Sequence, residues 1–92
     1  VHDEELKFKA EARRNRLLGL WVAEKLGKSG SEAEAYAKDV VAAEFEEAGD
    51  ADVMRKIIGD LTAQGVAAAE AEIRAKMNEL MPLAISQIKA GV

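Results

Sequence analysis

The stretch Leu17-Leu18-Gly19-Leu20-Trp21-Val22-Ala23 decides the fold. A helix spanning these residues is apolar nearly all round, so it must be covered on several sides. Trp21 reads as a core residue on the same ground. Going back toward the N-terminus, the pattern changes. Leu6, Phe8, Ala10 and Ala12 are scattered among nine charged residues from Asp3 to Arg16. On a helical wheel Leu6, Ala10, Leu17 and Leu20 share a face, with Arg13 set between them. This front half therefore does not share the core of the back half; it projects, frays or docks on something else. Asp3, Glu4 and Glu5 suit the first turn, where carboxylates meet the positive end of the helix dipole. The break Gly27-Lys28-Ser29-Gly30 ends a first helix over about residues 2–26.

Three more amphipathic segments follow. Ser31 and Glu34 match a capping box at the start of a helix over 31–48, and Ser29 with Glu32 repeats the pattern two residues earlier. Its apolar stripe is Ala37, Val41, Phe45 and Ala48, with Tyr36 and Val40 beside it, and Gly49 ends it. Asp50 or Asp52 caps a third helix over 51–64, with Val53, Ile57, Ile58 and Leu61 as its stripe and Gly65 as its stop. The last, over 68–90, carries Ile73, Met77, Leu80, Ala84 and Ile88 in phase on both sides of Pro82, which predicts a bent but continuing helix. No Ser, Thr, Asp or Asn precedes it, so its start is uncapped. Residues 1–92 thus form one all-α domain, a small four-helix bundle with a long, partly projecting first helix.

Composition narrows the function. The 92 residues are 49% hydrophobic and 33% charged, with no Cys and a net charge of −4. An acidic balance argues against a nucleic-acid partner. No apolar run approaches the roughly 18 residues of a membrane span, which argues against direct membrane insertion. Charge is segregated: residues 1–28 carry 7 basic and 5 acidic side chains, residues 29–60 carry 3 and 9, and residues 61–92 carry 3 and 3. The absence of Cys fits a cytosolic protein.

Catalytic chemistry has little to use. His2 is the lone imidazole and sits at a chain end, where a triad could not hold it. The acidic run Glu44, Glu46, Glu47, Asp50 and Asp52 lacks the spacing of a calcium loop and reads as a solvated face. Gly27-Lys28-Ser29 lacks the upstream glycine of a phosphate loop, Val22 standing there, and follows a helix where a strand is required. Its loop amides could bind an anion weakly at the start of the second helix. Arg13-Arg14-Asn15-Arg16 with Lys7 and Lys9 is the one basic cluster. It is either a solvated helix face or a helix that docks in a groove of a protein partner, with Leu6 and Phe8 as anchors. No enzyme is expected.

The same residues carry a family resemblance. His2 to Lys9, running into Ala12-Arg13-Arg14-Asn15-Arg16-Leu17-Leu18-Gly19-Leu20-Trp21, is similar to the zeta-subunit family of alphaproteobacterial F-type ATP synthases. Ala33-Glu34-Ala35-Tyr36-Ala37-Lys38, Phe45-Glu46-Glu47-Ala48-Gly49, Gly59-Asp60-Leu61 and Gln87-Ile88-Lys89-Ala90-Gly91 extend it over essentially the whole chain. The resemblance implies a four-helix inhibitor of ATP hydrolysis, whose N-terminal segment inserts at an interface between alpha and beta subunits beside the gamma subunit. It implies a cytoplasmic protein, peripheral to the inner membrane through the synthase. It requires no cofactor and implies weak ATP or ADP binding as a regulatory ligand. Family chains carry a further stretch upstream of the histidine matching His2. Since this chain starts at Val1, an N-terminal inhibitory extension is expected to be missing.

Together these readings make Leu6, Lys7, Phe8, Lys9, Arg13, Arg14 and Arg16 the partner-facing residues. The rival reading is an adenine-nucleotide-binding regulatory module with a different protein partner.

Overall fold

A computed structural model describes residues 2–43 and 51–91. Its elements are α1 (His2–Lys25), α2 (Ser31–Ala43), α3 (Ala51–Ala63) and α4 (Glu70–Lys89). No strand occurs among the described residues. The expected continuation of the second helix over 44–48, with Phe45, Ala48 and the Gly49 stop, lies outside them.

The helix ends follow from local chemistry. At Gly27 (φ 76°) the Lys28 N–H reaches the Ala23 carbonyl at 2.9 Å and the Gly27 N–H reaches Glu24 at 3.1 Å. Gly65 repeats this pair of bonds with Val66 to Leu61 and Gly65 to Thr62. Both are Schellman closures, which need a left-handed residue that glycine adopts without a Cβ clash. The capping box is displaced. The Glu34 N–H bonds to the Gly30 carbonyl at 3.1 Å, so Gly30 occupies the cap position and Ser31 is already helical. The Glu34 carboxylate turns to Arg16 instead, at 2.7 Å. The last helix starts two residues later than expected, behind an extended Ala69 that offers no side-chain cap, and it continues through Pro82.

α1 is the central element, packed against both α2 and α4. Leu18, Val22 and Ala23 are fully buried there, among Tyr36 and Val40 of α2, Val53, Met54, Ile57 and Leu61 of α3, and Ile73, Met77 and Leu80 of α4. α1 and α2 pack backbone to backbone at Gly19. A Cβ on Gly19 would lie 2.7 Å from Ala37 Cα and 3.3 Å from Val40 Cβ. Trp21 sits half-buried at the edge of this core, with Lys25 and Lys76 over its ring at 4.7 and 5.6 Å.

The front half of α1 docks on α4, apart from the main core. Leu6 and Ala10 line an apolar slot with Met81 and Ile85. The buried line along α1 is Ala10, Arg14, Leu18 and Val22, with Asn15 beside it, and not the wheel face of Leu6, Ala10, Leu17 and Leu20. Arg14 donates through Nε and Nη2 to Asn15 Oδ1 at 3.1 and 2.9 Å, which satisfies part of its guanidinium inside the protein. A charge so satisfied can join a buried stripe.

Candidate functional site

The basic, apolar front of α1 has two faces. Lys7, Phe8 and Lys9 point outward, and Phe8 is 58% exposed, an unusual state for a phenyl ring. Leu6, Arg13 and Arg16 are half-buried. Arg13 Nη1 donates to Gln87 Oε1 of α4 at 3.4 Å, and Arg16 Nη2 donates to Glu34 Oε2 of α2 at 2.7 Å. A groove of about 690 Å³ runs between these elements, walled by Phe8, Ala12, Val41 and Ile88 and carrying Lys9, Arg13 and Arg16.

Arg14 departs from the expected set. It is 5% exposed, so its head group does not face a partner. The run Arg13-Arg14-Asn15-Arg16 reads as uniformly basic in one dimension. Successive helical residues point about 100° apart, however, so one of the three arginines falls on the buried line. Six of the seven expected residues are thus at least partly accessible: Phe8, Lys9, Arg13 and Arg16 line one groove, while Leu6 and Lys7 line the slot against α4.

The other sequence candidates separate cleanly. His2 and the acidic residues 44–50 lie outside what is described of side chains. Asp52 is buried at the first turn of α3, with Oδ1 accepting from Arg55 at 2.8 Å. It is a structural carboxylate and not part of a solvated face. Among the described residues, no group of three or more His, Cys, Asp or Glu could hold a metal ion. Lys28 and Ser29 line a groove of about 420 Å³ beside Trp21, Lys76 and the start of α2. None of the described helices is long and apolar enough to cross a membrane.

One polar cluster was not foreseen. The buried Tyr36 hydroxyl donates to Asp60 Oδ2 at 2.8 Å, tying α2 to α3. Lys56 Nζ pairs with the same oxygen at 3.1 Å and lies 5.1 Å from the Tyr36 ring. Burial pushes the Tyr36 hydroxyl above its ordinary range, and the hydrogen bond and charge of Asp60 push it the same way. It is a permanent donor at neutral pH, which makes it a strut and not an acid or base. The Lys56–Asp60 spacing of four is the sequence signal that was available.

Comparison with known proteins agrees with the fold. A solution NMR structure is 59% identical in sequence and superposes with a TM-score of 0.83, covering 95% of this chain and 99% of its own. No curated protein matches. The family model for ATPase inhibitor subunit zeta matches residues 1–87. With that extent of match, the chain belongs to the ATPase inhibitor subunit zeta family.

Proposed function

We propose that the chain restrains ATP hydrolysis by presenting the front half of α1 to the catalytic head of an F-type ATP synthase. Family membership supports an inhibitory role at the ATPase, regulatory and not catalytic. The observation that supports this particular surface is Phe8, 58% exposed between the exposed Lys7 and Lys9. An aromatic ring flanked by ammonium groups is suited to an apolar pocket with an acidic margin. Arg13 and Arg16 line the same groove as Phe8 and extend the contact, and Leu6 lies on the slot against α4.

The proposed target is an interface between alpha and beta subunits beside the gamma subunit, where an inserted helix obstructs rotation in the hydrolytic direction. The protein would then work in the cytoplasm, attached to the inner membrane only through the synthase. The test is titration into a purified cognate ATPase head, with the 92-residue chain and with a form extended at the N-terminus as in family members. Hydrolysis should fall saturably, and Phe8→Ala with Lys7→Glu and Lys9→Glu should abolish the effect. Unchanged hydrolysis at micromolar excess of both forms would rule the reading out.

A second reading, weak regulatory binding of ATP or ADP with no cofactor required, draws on the groove beside Trp21. Lys28, Lys76 and the start of α2 meet there, offering cations and helix-terminal amides to an anion. Saturable amide shifts at Trp21, Lys28 and Ser29 on adding ATP would support it, and shifts elsewhere or none would remove it.

A further inference from the structure

The front half of α1 does not meet a partner alone. Ala10, Arg14 and Asn15 are 1%, 5% and 0% exposed, so this half is seated on the bundle and is not offered as a free helix. A partner that touches its outer residues also meets what flanks them. Beside Phe8 the flanking residues are Val41 of α2 and Ile88 of α4. Both fall on the core stripes of their helices by spacing, yet both are only half-buried, and their remaining apolar surface lines the groove. Neither belongs to the expected contact set.

We propose that this three-helix groove receives an acidic amphipathic segment of the ATPase, with Val41 and Ile88 in the contact. This rests on the functional reading above. The lining sets the chemistry of the occupant. Its apolar part comes from α1, α2 and α4 together, which suits the apolar face of an incoming segment. Every charged residue on it, Lys9, Arg13 and Arg16, is a cation, in a chain whose net charge is −4. Complementarity then requires carboxylates on the polar face of the segment. The arginines are already placed. Arg16 donates through Nη2 to Glu34 of α2 at 2.7 Å, and Arg13 donates through Nη1 to Gln87 of α4 at 3.4 Å. A guanidinium carries five donors in a fixed fork, so Arg16 can keep Glu34 and still donate to a second carboxylate. Docking of this kind leaves the bundle as it is, and no buried residue of α1 has to be uncovered.

The test uses the full chain and the purified ATPase head. Val41→Glu and Ile88→Glu place a carboxylate in the groove. Val41→Lys and Ile88→Lys place an ammonium there with a similar loss of apolar surface. Leu83→Glu and Leu83→Lys are the controls, since Leu83 is 46% exposed on α4 and is not on the groove. The half-inhibitory concentration should rise about 10-fold or more for each Glu variant and by less than about 3-fold for each Lys variant, with the Leu83 pair unchanged. Adding the head to the wild-type chain should slow amide hydrogen exchange at residues 39–43 and 86–89 as well as at 8–16. Where a variant loses stability in urea, this wild-type exchange pattern decides. The groove is overturned if the wild-type chain inhibits while protection is confined to α1, or while all four groove variants match it. Equal losses for Glu and Lys would overturn the acidic chemistry. If the wild-type chain neither binds nor inhibits the head, the functional reading falls and the groove falls with it.

Discussion

α1 is one helix with two environments. From Leu17 to Ala23 it is the axis of the core, touched by α2, α3 and α4. From Leu6 to Arg16 it lies on α4 through a shallow slot and on α2 through an exposed ion pair, with Ala10, Arg14 and Asn15 buried beneath. Both halves have the same backbone geometry, so the difference lies entirely in side chains. The back half gives up solubility for burial, and the front half keeps its charges in reach of solvent except at the buried Arg14.

The sharpest way to break that contrast is to damage the back half. Leu18→Ala removes a fully buried side chain at the centre of the core and should cost about 2–5 kcal/mol in denaturant unfolding. Gly19→Ala should follow at about 1–3 kcal/mol, because the new methyl meets backbone at Ala37 and the helices must move apart. The equivalent truncation in the front half, Leu6→Ala, should cost no more than about 1 kcal/mol, since the side chain is only half-buried. Equal losses at Leu18 and Leu6 would mean that the two halves are a single cooperative unit.

A smaller effect probes the Tyr36 strut. Tyr36→Phe deletes the hydroxyl that bonds Asp60 and should cost about 0.5–1.5 kcal/mol at neutral pH. It also carries a pH signature. The folded Tyr36 hydroxyl holds its proton beyond its ordinary value near 10, whereas the unfolded chain releases it there. The unfolded state then binds fewer protons, so this contribution is complete below about pH 10 and declines as pH rises above it. Tyr36→Phe should flatten that decline in thermal or urea unfolding. An unchanged slope would mean that another group sets it.

The two halves were unequally legible in the sequence. Leu17 to Ala23 announced its burial because an apolar surface all round a helix has few other solutions, and the stripes of α3 and α4 were equally plain. The front half was harder. Its wheel is interrupted by Arg13, yet the buried line runs through Arg14, whose guanidinium is met in part by Asn15 next door. Periodicity counts an arginine as polar wherever it falls. Trp21 went the other way, expected inside but held at the edge, with the ammonium groups of Lys25 and Lys76 over its ring. The Ser31 cap is displaced to Gly30, and the Glu34 carboxylate that a capping box would turn back is paired with Arg16 instead.

The smallest expected effect on stability is the most telling about function. Phe8→Ala removes a ring that is 58% exposed, so folding should change by no more than about 0.5 kcal/mol. If Phe8 only covered the groove beside Ala12 and Ile88, that would be its whole consequence. A partner anchor behaves differently: it leaves the free protein untouched and costs binding about 2 kcal/mol or more, roughly a 30-fold loss of inhibitory potency. Unfolding curves that superpose and inhibition curves that separate would assign Phe8 to the ATPase. Curves that superpose in both measurements would return it to the list of tolerated surface apolar residues, and would move the search for the contact to Lys7, Lys9 and the arginines.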